Sequence, residues 1–177
     1  FRSPYSGFEK YNLGATVMLK LSGTQVVKLD YLGDWGKNIG YPALPMDVGT
    51  ANAQIFSATH KWEIKSKFLT NNEFKVYYNE ITHQMDDTHR NDVPMHMDMP
   101  GWTKTIGFYN ELNAAGKLKI RMDYHSVYAR ADMIMYPAGE PIMYMQTLPE
   151  NNLHDMGISL KYKFDFKYAQ QITLNGR

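Results

Sequence analysis

The segment GISLKYKFDFKY alternates apolar and polar residues without a break from Ile158 to Tyr168. Because successive side chains of a β-strand point to opposite faces, this period of two predicts a strand with one apolar and one polar face. The predicted apolar face consists of Ile158, Leu160, Tyr162, Phe164, Phe166 and Tyr168. The predicted polar face consists of Ser159, Lys161, Lys163, Asp165 and Lys167. A chain with this pattern must find apolar surroundings for a long aromatic surface.

Other segments carry the same alternation. In KLKIRMDYHSVY one predicted face consists of Leu118, Ile120, Met122 and Tyr124, and the other consists of Lys119, Arg121, Asp123 and His125. In ATHKWEIK the apolar face consists of Ala58, Trp62 and Ile64, and the polar face consists of Thr59, Lys61, Glu63 and Lys65. His60 is the exception on the apolar face. Weaker examples are NLGATVMLKL, TQVVKLDYL, EFKVYYNE, TKTIGFYNEL and QITLN. The 13 Tyr, 8 Phe and 3 Trp also favour strands, and we predict eight of them.

The connections between the predicted strands alternate in length. The short, turn-like ones are LSGT, LTNNE, NAAGK and KYAQ. The long ones are rich in Pro, Gly, Met and Asp and run roughly over Gly33–Asn52, Asp86–Trp102 and Ala131–Asn152. This alternation between amphipathic strands is typical of an antiparallel up-and-down transmembrane β-barrel. A soluble barrel or sandwich is the alternative, since its strands also have a period of two.

Two features favour the membrane barrel over the soluble fold. Aromatic residues recur near the strand ends, as in Tyr124 and Tyr128, and this suits aromatic girdles at a lipid boundary. Lys, Asp and Arg recur on the polar faces, which suits a wet lumen better than a dry core. The chain ends at LNGR, within what reads as a new strand and without a terminal aromatic residue. We therefore expect residues 1–177 to be an interior part of one larger β-barrel domain.

Composition argues against several classes of function. The 19 Lys and Arg nearly balance the 18 Asp and Glu, so no basic field exists to hold nucleic acid. The chain has no Cys, and therefore no disulfide, thiolate metal site or cysteine nucleophile. It also lacks a long apolar run, and its start lacks the regions of a signal peptide. No glycine-rich phosphate loop, nucleophile elbow, HExxH or paired-carboxylate motif occurs, so we expect neither an enzyme nor a catalytic cofactor.

Two motifs carry a family resemblance. They are YPALPMD at Tyr41–Asp47 and the strand-to-loop junction YYNEITHQMDD at Tyr77–Asp87, followed by a Met-rich loop and a tyrosine-rich strand. On these residues most of the chain resembles the barrel of TonB-dependent outer-membrane receptors, and within that family the copper-receptor branch. The resemblance implies a 22-stranded barrel in the outer membrane of a Gram-negative bacterium, plugged by an N-terminal domain. We recognise no plug domain, TonB box or barrel-closing strand here, and expect the TonB complex to act through a plug region outside these residues.

The resemblance also implies a copper site. Receptors of this branch are expected to hold the ion with a His-x-Met pair from the barrel and soft ligands from the plug, and His83 and Met85 match the pair. The strand pattern agrees, because Phe74, Val76 and Tyr78 form the apolar face and leave the odd-numbered residues on the polar face. Two donors at i and i+2 lie roughly 6 to 7 Å apart on one face. Imidazole with thioether is a soft pair that suits copper, especially Cu(I).

These two residues also have a simpler interpretation. A His or Met at the rim of a barrel is more often a packing or hydrogen-bonding residue than a ligand. A bulge near the top of the strand would also reverse the faces of His83 and Met85. The ligand role therefore stands beside a purely structural one.

Further methionines follow in the polar stretch from His83 to Pro100, which reads as a loop. Met95, His96, Met97 and Met99 are a weaker candidate metal set that would capture copper transiently, and the alternative is flexible gap-filling over the plug. We expect loop packing first, and copper collection second, for Met133, Met135, Met143 and Met145. Met46 and Asp47 are expected to be structural, because two prolines fix the backbone of YPALPMD.

These observations predict an outer-membrane active-transport receptor that imports copper, as the ion or a small chelate, with TonB energy coupling. Copper is then the transported ligand, and outer-membrane lipid and the TonB complex are the other partners. One alternative is a TonB-dependent receptor for a siderophore or another organic ligand, with structural methionines. A second, of another class, is a passive outer-membrane barrel or surface-interaction protein whose long loops bind a partner.

Overall fold

The computed structural model describes residues 5–165 and 171–176, and in this part of the chain eight strands form one sheet. The strands are β1 Glu9–Lys20, β2 Gln25–Ile39, β3 Asp47–Glu63, β4 Leu69–Asp86, β5 His96–Ala114, β6 Leu118–Tyr136, β7 Met143–Asp165 and β8 Gln171–Gly176. Strands adjacent in sequence are adjacent in the sheet, and every pairing is antiparallel. The predicted up-and-down arrangement of eight strands is confirmed. Phe166, Lys167, Tyr168 and the turn KYAQ lie outside the described residues.

Long and short connections lie at opposite ends of the sheet. We call the end with residues 40–46, 87–95 and 137–142 the loop end, and the end with residues 21–24, 64–68 and 115–117 the turn end. The alternation of connections was predicted, but the predicted extent of the long loops is wrong. Most residues of those loops continue the strands, whose pairing persists to Ile39 with Val48, to Asp86 with Asp98 and to Met135 with Met143.

Prolines that suggested loops lie where the strand ladder is interrupted. Pro100 lies in β5 between two pairings with β6, Asp98 with Ile134 and Gly101 with Ala131. Pro149 lies in β7 beside register shifts that flank Ala131. Proline has no amide hydrogen and is tolerated at such irregular positions of a sheet. Sequence reasoning placed these residues within long loops, whereas pairing with neighbouring strands carries the chain through them.

Cross-strand partners divide the side chains into two faces. The apolar face, as we call it, includes Val17, Leu29, Tyr31, Phe56, Val76, Tyr78, Ile106, Phe108, Ile158 and Leu160. The polar face includes Asp30, Ser57, Thr59, Glu73, Lys75, Tyr77, Tyr109, Glu111, Lys119, Arg121 and Asp123. Where the register is continuous, each row of partners runs across the sheet without changing face, as the period of two predicted.

The apolar face is uncovered. Ile106 is 60% exposed, Ile158 55% and Met156 77%, so no second layer of the described chain packs on them. Among the described residues the only buried apolar side chains are those of Met46 and Val48, near the loop end. A sandwich would bury this face in a core. The soluble sandwich is therefore not the fold of the described residues. They also contain no helix with the length and apolar character needed to cross a membrane.

The polar face neutralises much of its own charge across the strands. Lys61 Nζ lies 3.1 Å from a Glu73 oxygen, and Lys119 Nζ lies 2.6 Å from a Glu111 oxygen. Thr16 donates a hydrogen bond of 2.7 Å to Asp30. Lys61 and Glu73 are directly opposed, as are Thr16 and Asp30, whereas Lys119 and Glu111 are diagonal neighbours. Cross-strand pairs of both kinds stabilise a sheet modestly. They form a layer of fixed charges opposite the exposed apolar face.

Candidate metal site at the loop end

His83 and Met85 lie near the loop end of β4, both on the polar face. His83 is the partner of Ala51 in β3 and of Gly101 in β5, and Met85 is the partner of Met99. The ladder between β4 and β5 has no register shift from Asn71 to Asp86, so β4 keeps its alternation. The bulge considered near the top of this strand lies in β3 instead, between Val48 and Thr50. The shared face of the two candidate ligands was therefore predicted correctly.

Small residues surround His83 on the polar face. Ala51 and Gly101 flank it, and Ala131 lies beyond Gly101. The imidazole is half-buried and makes no hydrogen bond or ion pair with any described residue. A side chain with free nitrogen atoms beside small neighbours has room for a ligand or an ion. The arrangement is compatible with a role of His83 as a metal ligand. The imidazole makes no polar contact with the described residues that would stabilise the fold.

The structure separates His96 from the methionines that surround it in the sequence. Met97 and Met99 lie on the polar face of β5 with Met85. His96 has the opposite parity, and its Nδ1 atom lies 2.9 Å from Asp87 Oδ1. Met95 belongs to the loop of residues 87–95. Of this second candidate set, only Met97 and Met99 come together with the first pair.

Methionines of four strands form neighbouring rows on the polar face. Met85 is the partner of Met99, and Met133 is the partner of Met145. Met97 is the partner of Met135, which in turn faces Met143. We call the seven residues the methionine rows: Met85, Met97, Met99, Met133, Met135, Met143 and Met145. Sequence reasoning missed this arrangement because it assigned most of these residues to loops, where no register relates them.

Charged groups close to the rows have partners of their own. Asp47, at the loop end of β3, accepts hydrogen bonds from Arg90, and these lower the pKa of its carboxyl group. A hydrogen bond from the backbone amide of Tyr41 lowers this pKa further. Asp87 is 2% exposed and accepts a hydrogen bond from the Met97 amide. Met46 and Asp47 are both buried, as their expected structural role predicted. Asp47 and Asp87 thus both accept hydrogen bonds from backbone amides and help to hold the chain at the loop end.

Hard metal ions have no obvious site in this part of the molecule. Among the described residues, no group of three or more His, Cys, Asp or Glu side chains comes together to hold a metal. The donors that do come together are thioethers and one imidazole. Such soft donors favour Cu(I) over Ca²⁺ or Mg²⁺, which require several oxygen ligands.

Comparisons with known proteins support the fold. A solved structure described as "Copper transporter OprC" is similar to this chain, with a TM-score of 0.78 and 17% sequence identity. The similarity covers 94% of this chain and 27% of that chain, so the segment spans about a quarter of that protein's length. The eight strands correspond to a segment of a β-barrel. No family model matches the chain, and neither does any curated protein.

Proposed function

We propose that this chain is part of the β-barrel of an outer-membrane receptor that imports copper with energy from the TonB complex. Residues 1–177 then form eight strands of a larger barrel, of 22 strands in all, in a Gram-negative bacterium. A plug domain would fill the lumen and connect the receptor to the TonB complex. The observation that carries the proposal is that His83, Met85 and Met99 lie together on the polar face of a sheet whose apolar face is exposed in the described residues.

The exposed apolar face supports the membrane location. Aromatic residues lie toward both limits of this face, with Trp62 and Tyr162 near the turn end and Tyr78 farther along. From Trp62 to Gln54 on β3 the chain rises by roughly 20 Å at the usual strand tilt, close to the height of a barrel's apolar band. Lipid tails would cover this face, while the charged polar face would line a watery lumen.

Polar side chains outside this band support the orientation. Beyond Tyr78 toward the loop end, Lys104 and Glu80 form an ion pair of 3.2 Å on the same side of the sheet. Farther on, Arg130 pairs with Asp132 at 2.9 Å. Charged pairs of this kind suit water or lipid headgroups, whereas hydrocarbon would penalise them. The loop end would therefore project outside the cell, as the longer loops of such barrels do.

The ligands proposed for copper are soft and lie within reach of one another. The His83 imidazole would supply a nitrogen, and the thioethers of Met85 and Met99 would supply sulfur. Met97 and the other methionine rows would bind the ion more briefly on its way to this site. Neutral thioethers hold Cu(I) without a thiolate, and their weak basicity permits later transfer. Release inward would follow movement of the plug.

Two other functions fit parts of the same geometry. A receptor for a siderophore or another organic ligand would use the same barrel, with methionines that only pack. A passive barrel or surface-interaction protein would use its outer loops to bind a partner and need no energy coupling. The free imidazole of His83 beside thioethers favours copper over both, because packing alone does not require a nitrogen donor on this face.

Metal binding by the full-length receptor tests the proposal. Purified parent protein and a His83→Ala, Met85→Ala double variant are titrated with Cu(I), with Met122→Ala on the apolar face as the matched control. We expect at least a 100-fold loss of affinity in the double variant and parent-like affinity in the control. Unchanged affinity in the double variant would refute the copper site. Uptake that persists without the TonB complex would instead favour a passive barrel.

A further inference from the structure

A buried ion pair joins two loops at the loop end. Arg90 donates hydrogen bonds to both carboxylate oxygens of Asp47, and the Nε to Oδ2 distance is 3.0 Å. A further bond of 2.9 Å reaches the carbonyl oxygen of Tyr41. The guanidinium carbon lies 3.8 Å from the centre of the Tyr5 ring. Arg90 is only 7% exposed and Asp47 8%, and few other side chains of the described residues are buried.

This ion pair lies beside the bulge that faces the candidate ligand Met85. Val48 is the partner of Met85 and Thr50 is the partner of Gln84, so Gly49 is the extra residue of β3. A Cβ atom on Gly49 would contact a carboxylate oxygen of Asp86, so a larger residue in the bulge would require the Asp86 side chain to move. Bulges redirect side chains and bend the strand that carries them. The hydrogen bonds from Arg90 to Asp47 hold the first residue of β3, which lies next to this bulge.

A second buried carboxylate ties the same loop to β5. Both oxygens of Asp87 lie 3.1 Å from the amide nitrogen of Met97. The Arg90 amide donates a bond of 2.8 Å to the Asp87 carbonyl oxygen. The loop of residues 87–95 is thus attached to β3 through one side chain and to β5 through another. It connects the two strands that carry Met85 and Met99.

We infer that Arg90 is a positioning residue for the copper site, which it serves by holding the loop ends of β3, β4 and β5 in one arrangement. The inference rests on the proposed function. Strand ends with few buried contacts open locally at low cost, and a metal site requires its donors to be held closely in place. The planar guanidinium donates two parallel hydrogen bonds from two nitrogen atoms, one to each carboxylate oxygen, a geometry that the single nitrogen of a lysine ammonium does not reproduce. Arg90 and Asp47 would therefore act without touching the ion.

The experiment compares Arg90→Lys with the parent in the full-length receptor. Lys37→Ala is the control, because Lys37 is an exposed cation near the loop end of β2 without a side-chain partner among the described residues. Cu(I) affinity is measured by competition with a chromophoric chelator, and X-ray absorption reports the sulfur and nitrogen ligands. We expect Arg90→Lys to bind Cu(I) about tenfold more weakly, as is typical for residues that support metal ligands, with fewer sulfur ligands. Lys37→Ala should match the parent.

The outcomes separate this inference from the proposed function. A parent that binds no Cu(I) refutes the proposed function, and the positioning role with it. The positioning role alone is refuted by a combination of two results. Cu(I) binding by the parent depends on His83 and Met85, and Arg90→Lys binds Cu(I) within twofold of the parent. A lowered unfolding temperature with unchanged affinity also refutes it, since that is a purely structural effect. If Arg90→Lys does not fold, Asp47→Asn decides the question by the same measurements.

Discussion

Met85 and Met99 are directly opposed partners on neighbouring strands, although thirteen residues of polar sequence separate them along the chain. Their pairing results from the antiparallel register of β4 and β5, which is continuous up to Asp86 and Asp98. A stretch that looks like a polar loop therefore forms two strand ends with thioethers on one face. This relationship underlies the proposed metal site and the predictions below.

Replacement of Met99 by Leu tests whether its sulfur binds the ion. Leucine has a similar volume, so the fold should lose little stability, less than about 1.5 kcal/mol. We expect Cu(I) affinity to fall about tenfold or more, because a ligand is lost while packing is kept. Met122→Leu on the apolar face is the control and should leave the affinity unchanged. Titration of both full-length variants gives the result, and equal affinities would exclude Met99 from the site.

Lysine substitutions on neighbouring residues of β5 test the membrane location. Ile106 belongs to the apolar face and is 60% exposed, whereas Thr105 belongs to the polar face. In a bilayer, Ile106→Lys should destabilise the barrel by about 2 to 4 kcal/mol near the membrane centre, and less toward its surface. Thr105→Lys should be tolerated, since it enters a watery lumen. Denaturant unfolding in lipid vesicles measures both, and an equal tolerance of both variants would contradict contact with lipid.

Gly107 lies beneath an aromatic ring on the polar face. A Cβ atom at this position would lie 2.5 Å from a ring carbon of Tyr77 and 2.8 Å from the carbonyl oxygen of Tyr124. Gly107→Ala should therefore destabilise the barrel by about 1 to 3 kcal/mol through overpacking. At Gly101 the nearest atoms would be 3.7 Å away, which is ordinary contact, so Gly101→Ala is the matched control. The free energy of unfolding should be lower for Gly107→Ala than for Gly101→Ala.

The ion pair of Asp47 and Arg90 should make the loop end sensitive to acid. Arg90 lowers the pKa of the Asp47 carboxyl in the folded protein, so this pair contributes stability at pH values above about 4, the usual carboxyl pKa. The contribution is lost as the pH falls through the lowered pKa. The protection of the Arg90 and Met97 amides, measured as the exchange rate relative to the intrinsic rate at each pH, should fall in that range in the parent. In Asp47→Asn, this protection should be lower at neutral pH and change less with acid, and a parent-like profile would contradict the role of the pair.

The sequence predicted the two faces of the strands well. The alternation from Ile158 to Asp165 and from Leu118 to His125 appears in the structure as predicted, because the period of two is a local property of extended backbone. His83 and Met85 were placed on the polar face for the same reason. The lengths of the loops were predicted less well. Pro, Gly and Met suggested irregular chain, whereas the strands continue to Asp86 and again from His96.

What the sequence determined by itself is therefore the number of strands and their faces, including the common face of His83 and Met85, since these depend on residues close together in the chain. The tertiary structure alone decided the methionine rows, the bulge at Gly49 and the contact of Arg90 with Asp47. Each depends on which residues of different strands become partners. Register is set by pairing energies summed over whole strands, and a difference of one residue would exchange the faces of every side chain beyond it.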